Sequence, residues 1–238
     1  MAGRLFLGVS LLSSLRTGAA LRVRHSIATT AGATRTASST RMQATEPLRV
    51  LVPIAEDSEE IETACITDTL VRAGAEVTVA STHEDGRLEV RMSRGLKIVA
   101  DVTIAECTGQ TWDCIALPGG MPGAERLRDC EPLVTLLKEH AESKRLLAAV
   151  CASPAVVLAS HSLLPEYATC YPAPKFKEAL PDGWIDAPVI SEGHVITSQG
   201  PGTSLQFALK IVEKLYGEQK ADELSEQMVT SFYRGIDY

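Results

Sequence analysis

Short apolar runs rich in β-branched residues alternate with stretches of helical period along this chain, and that alternation restricts the fold more than any other feature. LRVLVPI (48–54), EVTVAS (76–81), DCIALPGG (113–120), RLLAAV (145–150) and HVITSQG (194–200) read as strands. The first, third and fourth are apolar at consecutive positions, the pattern of a strand buried on both faces. Between them lie helical stretches: one with Ile66, Leu70 and Ala73 on one stripe, one over 131–142 with Leu133, Leu136 and Leu137 inward, and one after Gly202 with Leu205, Ala208, Leu209 and Val212 inward. RLEVRMSRGLKIVAD reads as a hairpin turning at Ser93, Arg94 and Gly95, and a last helix is expected near 220–230. The β, α, β, α order predicts an α/β, doubly wound, mostly parallel sheet with helices on both faces and a ligand site beyond the carboxyl ends of the strands.

Cys151 stands at one such end. The strand RLLAAV meets a single thiol, and Ala152, Ser153 and Pro154 then open a small-residue helix. Unpaired N–H groups at a helix N-terminus favour an anion, so the position predicts a lowered thiol pKa and a nucleophilic thiolate. The same stretch also suits a core cysteine. Gly119 and Gly120 end another strand and leave N–H groups open to hold an anion. GPG at 200–202 lacks both the GxGxxG spacing and a Walker lysine and reads as a turn.

The helix after the first strand starts in a capping-box-like manner, with Asp57 followed by Glu60, and ends at Gly74. Glu59 and Glu60 complement its positive end. Glu62 instead heads the stripe of Ile66, Leu70 and Ala73, which places a carboxyl at the edge of the buried face. A buried acid signals function or a partner, whereas one in a solvated first turn needs no explanation. Asp68 and Arg72 are spaced as an i, i+4 surface pair.

Residues 1–45 hold six Arg and no Asp or Glu among many Ser, Thr and Ala, the profile of a cleaved organelle-targeting presequence ahead of a single domain over 46–238. Arg4, Arg16, Arg22 and Arg24 among Leu and Val suit a mitochondrion, and the Ser/Thr-rich part suits a plastid; a cytoplasmic location is the alternative. LFLGVSLLSSL, at 11 residues, is too short to span a bilayer, so no membrane is expected for the mature form. Beyond residue 45, 17 basic residues face 30 acidic ones, a formal charge of −13 that argues against nucleic acid. The six cysteines show no CxxC spacing and read as reduced thiols, and the five histidines form no ligand cluster and read as scattered surface residues, so no metal site is expected.

Four separated stretches, AEDSEEIETACITDTLVRAGAEVTVAS, LPGGMPGAERL, AAVCASPAVVLA and ITSQGPGTSLQFALKIVE, resemble the DJ-one/PfpI (ThiJ/PfpI) superfamily in its order, from about residue 48 onward, and most of all its small deglycase branch. The resemblance implies a flavodoxin-like sandwich with Cys151 as elbow nucleophile and Glu62 as a protonated carboxyl hydrogen-bonded to it. It further implies anion-binding N–H groups at Gly120 and Ala152, and a homodimer in which Arg94, held by Asp68, approaches the partner's site with Arg72 nearby. Tyr171, in ATCYPAPKF, stands where the parkinsonism-associated members carry a histidine, and an unperturbed tyrosine is a poor general base at neutral pH.

The function so implied is a glyoxalase or protein deglycase acting on small reactive carbonyls or glycated proteins, with Cys151 attacking, Glu62 moving the proton, and no cofactor. A redox sensor or redox-regulated chaperone using a Cys151 sulfinate is the alternative, and a purely structural thiol in a binding scaffold is the third. Ala152 follows the cysteine where the protease-like branch has histidine, and Ser198, Gln199 and Gly200 stand where a glutamine amidotransferase needs His-x-Glu. Neither activity is expected.

Overall fold

The computed structural model describes residues 46–180, 183–231 and 235–238; the presequence expected over 1–45 lies outside these. In chain order the elements are β1 (Arg49–Ile54), α1 (Glu60–Ala73), β2 (Glu76–Ser81), β3 (Glu89–Arg91), β4 (Lys97–Val99), β5 (Val102–Thr103), β6 (Cys114–Leu117), α2 (Gly123–Asp129), α3 (Glu131–Glu142) and β7 (Leu146–Val150). They continue with α4 (Pro174–Lys177), β8 (Val189–Glu192), β9 (Val195–Ser198), α5 (Ser204–Tyr216), α6 (Glu218–Gln227) and β10 (Ile236–Asp237).

Eight strands form one sheet in the order β10-β8-β9-β7-β6-β1-β2-β5, parallel throughout except where β8 meets β9. β3 and β4 make the expected hairpin apart from it, with Val90 opposite Ile98. The central strands β1, β6 and β7 are buried on both faces because alternate side chains enter two separate cores. Val50, Val52 and Ile54 pack with Ile66, Leu70 and Phe207 on one side, while Leu51, Ile115 and Leu147 pack with Leu127, Leu133 and Leu137 on the other. Full burial of each such side chain is worth roughly 1.5–3 kcal/mol, which explains why these runs carry no polar face. Among the described residues no helix is long and apolar enough to cross a membrane.

Two local expectations need correction. The N-cap of α1 is Glu59, whose carboxyl accepts the Glu62 N–H at 2.7 Å, and not Asp57, which takes a left-handed φ of 68° and pairs with Arg126 at 3.1 Å. Asp57 lies two residues too early: the backbone of Ser58 and Glu59 still follows the loop that packs on Gly120. The histidines are also not all on the surface, since His140 of α3 is 2 % exposed and its Nε2 donates to the Leu146 carbonyl at 3.0 Å.

Burial pushes the His140 pKa down to about 4 even though the Leu146 carbonyl favours the charged ring. An unfolded histidine binds its proton near pH 6.5, before the folded one does, so stability falls as the pH drops from 6.5 towards 4. A His140→Gln variant is expected to lose about 2–3 kcal/mol less than the parent between pH 7 and 4.5, measured by urea denaturation at both values.

Candidate active site

The carboxyl ends of β6 and β7 and the start of α1 come together around Cys151. β7 ends at Val150, and the next residue takes φ 63°, a left-handed conformation unusual for a side chain other than glycine. Backbone bonds hold that elbow on both sides: Cys151 N–H donates to the Ser198 carbonyl at 3.0 Å and Tyr171 N–H to the Cys151 carbonyl at 2.7 Å. The helix expected after it is short, a π-type turn at Pro154–Leu158 followed by a 3-10 turn at Ala159–His161. Ser153, buried, anchors its start through a hydroxyl donated to the Pro118 carbonyl at 2.5 Å.

Glu62 is fully buried, at the head of the stripe of Ile66, Leu70 and Ala73. Its Oε2 accepts the Gly119 N–H at 2.6 Å, its Oε1 has no hydrogen-bond partner, and the Cys151 side chain interacts with the same carboxyl. The N–H groups of Gly120 and Ala152 point at the sulfur. Of the open glycine pair, then, Gly119 serves the acid and Gly120 the thiol.

Both glycines are sterically required. A Cβ at Gly119 would lie 2.6 Å from Cys151 Cβ and 3.0 Å from Glu62 Oε2, and one at Gly120, where φ is 89°, would lie 2.4 Å from the Asp57 carbonyl. Gly119→Ala is therefore expected to destabilise the chain by about 1–3 kcal/mol in urea denaturation and to slow iodoacetamide modification of Cys151 by separating it from Glu62.

Burial pushes the Glu62 pKa up to about 7, with a smaller upward contribution from the Glu59 charge; the bonds from Gly119 and Cys151 oppose them. The Cys151 pKa moves opposite to the sequence-based expectation. Burial raises it, the adjacent Glu62 charge raises it further, and the Gly120 and Ala152 N–H groups pull only partly back. A helix end favours an anion, but here burial, together with a carboxylate in the same dry site, disfavours it more. Protonation of Glu62 removes that charge, so the titrations of acid and thiol are coupled.

The other anticipated residues lie apart from this centre. Asp68 pairs with Arg72 at 2.7 Å on the exposed face of α1, because i, i+4 neighbours are in reach of each other. Arg94, expected on Asp68, is held through its backbone N–H by Glu60 Oε1 at 2.8 Å, and its guanidinium donates to the Ser93 carbonyl at 3.2 Å. Tyr171 is 44 % exposed, and its ring meets that of Phe176 edge-on at 6.2 Å. The sequence did not single out the bond from Ser153 to the Pro118 carbonyl, the Ser198 carbonyl or the capping role of Glu59. Only Glu59 left a signal, an acid directly before a helix. Among the described residues no group of His, Cys, Asp and Glu could hold a metal ion.

The DJ-1/PfpI family profile matches residues 48–214, including Cys151, Glu62 and both glycines. The chain belongs to the DJ-1/PfpI family. Protein DJ-1 homolog B of Arabidopsis thaliana is 48 % identical over 179 residues, 75 % of this chain; the alignment spans only 40 % of that relative and 45 % of homolog A of the same plant. Glutathione-independent glyoxalase DJR-1.2 of Caenorhabditis elegans is 39 % identical over 77 % of this chain and 96 % of its own length. Among solved structures, oxidized Toxoplasma gondii DJ-1 superposes with a TM-score of 0.74 at 47 % identity, covering 78 % of this chain and 100 % of that one. The flavodoxin-like, mostly parallel sandwich is thus the fold of the family as well as of this chain.

Proposed function

We propose that the chain is a cysteine-dependent glyoxalase and deglycase that works without a cofactor on methylglyoxal, glyoxal and the adducts they form on proteins. The observation that carries this reading is the contact of a buried carboxyl, pKa about 7, with a thiol that also receives two backbone N–H groups. A glyoxalase relative matched over nearly its whole length supports it.

Proton transfer from Cys151 to Glu62 leaves a thiolate facing the Gly120 and Ala152 N–H groups. The sulfur attacks the aldehyde carbon of methylglyoxal, a C–S bond forms, and the carbonyl oxygen takes the proton. The hydrogen on that carbon then leaves as a proton to Glu62, its electron pair forming an enediolate; Glu62 returns the proton to the neighbouring carbon while the hydroxyl proton of the first carbon passes to the neighbouring oxygen. The result is a lactate thioester of Cys151. Water cleaves the C–S bond, releasing lactate and restoring the thiol. One carbon is oxidised while its neighbour is reduced, so no external electron carrier is consumed. On a protein adduct, the freed amine or thiol leaves as the repaired product.

Tyr171, exposed and with its ring edge-on to Phe176, leaves this proton transfer to Glu62. The test is lactate formation from methylglyoxal by the full chain with trace metals chelated. No lactate above background would sink the reading.

One arrangement favours a second reading, redox sensing. The N–H pair facing the sulfur and the unpartnered Glu62 Oε1 offer partners for the oxygens of a Cys151 sulfinate. Peroxide conversion of Cys151 to sulfinate without lactate production would put this reading first. The acid-free first 45 residues support import into a mitochondrion or plastid. Exposed Ile61 and Leu96, close in sequence to Glu60 and Arg94, support a homodimer through that face.

A further inference from the structure

Lys210 of α5 is fully buried, which a lysine tolerates only when its charge is matched. Its Nζ donates to Asp237 Oδ2 at 2.6 Å and to Glu213 Oε1 at 2.9 Å, and Lys214 Nζ donates to Asp237 Oδ1 at 2.7 Å. Asp237 belongs to β10, which pairs with the sheet through two residues only, Ile236 beside Ile190 and Asp237 beside Ser191. Tyr238 adds an N–H bond to the Ser191 carbonyl at 2.9 Å and stacks on Tyr167 with ring centroids 4.3 Å apart.

So short a strand is held less by its ladder than by its side chains. We infer that the β8 edge, with Lys210 and Lys214, is a socket for an extended segment of the pattern apolar, acidic, aromatic, filled here by the chain's own Ile236, Asp237 and Tyr238 and able to take the same segment from a second copy. Strand addition at a sheet edge draws affinity from backbone bonds and specificity from side-chain pockets, and the specificity element here is a buried ammonium that requires a carboxylate. An edge closed in this way is also protected from indiscriminate pairing.

The test uses the full chain and its Asp237→Asn and Lys210→Met variants. Both are expected to exchange backbone amide hydrogens over 189–192 and 235–238 at least about tenfold faster than the parent, with those of 146–150 unchanged. A labelled peptide of residues 229–238 is expected to bind the Asp237→Asn chain, and the same peptide carrying Asp237→Asn to bind it at least about tenfold more weakly. Lys214→Gln is the milder variant if Asp237→Asn does not fold, with a smaller acceleration at the same amides. Unchanged exchange at 189–192 in the folded variants, or equal binding of the two peptides, overturns the inference. None of these readouts involves Cys151 or turnover, so the outcome is independent of the proposed function.

Discussion

Cys151→Ser is expected to lower lactate formation from methylglyoxal by at least ~10³-fold while leaving the fold intact. A hydroxyl occupies the same elbow, with the same Ser198 and Tyr171 backbone bonds, so circular dichroism and urea denaturation should match the parent within about 0.5 kcal/mol. Its proton is too tightly held for Glu62 to remove. The five other cysteines are retained in this variant, which makes it selective. Turnover that survives the substitution would remove Cys151 from the mechanism.

Glu62→Gln is expected to have two effects of opposite sign. Turnover falls by about 10²–10⁴-fold, because the amide can still accept the Gly119 N–H through its oxygen but cannot carry a proton between carbon atoms. Stability rises, and only at high pH. The folded pKa of about 7 lies above the ordinary value of 4.5, so the contribution of Glu62 to stability is fully present below pH 4.5 and is lost as the pH rises through 7. An ionised Glu62 at pH 8 costs on the order of 3 kcal/mol, which the glutamine escapes. Urea denaturation at pH 4.5 and pH 8 should show near-equal stability at the first and a clear gain for the variant at the second. A carboxyl whose burial raises its pKa gives this signature, and one left in solvent does not. Equal stability at both values would mean that the carboxyl titrates in the folded chain as it does in the unfolded one, and the proton-transfer role near neutrality would fail with it.

The sequence by itself determined the layered architecture, because its information is local. Consecutive apolar positions in LRVLVPI and RLLAAV fix strands with two buried faces, and the stripe of Glu62, Ile66, Leu70 and Ala73 fixes which side of α1 turns inward. That periodicity placed the Glu62 carboxyl at the edge of the buried face and left open whether it was buried or solvated. The position of Cys151 between a strand and a helical turn was legible for the same reason. What the tertiary structure alone decided concerns groups brought together from distant parts of the chain. Glu62 takes its hydrogen bond from Gly119, 57 positions away, and burial, reinforced by the Glu62 charge, reverses the pKa direction that a helix end alone predicts for Cys151. The inward turn of His140 was legible as a continuation of the stripe of Leu133, Leu136 and Leu137, although its type suggested the surface, whereas that of Lys210 goes against a residue type that ordinarily faces water. Their partners, the Leu146 carbonyl and Asp237, come from neighbouring strands. Backbone conformation and burial follow from short-range pattern, whereas the energy of a buried charge depends on every dipole and charge within a few ångströms, and only the folded chain assembles those.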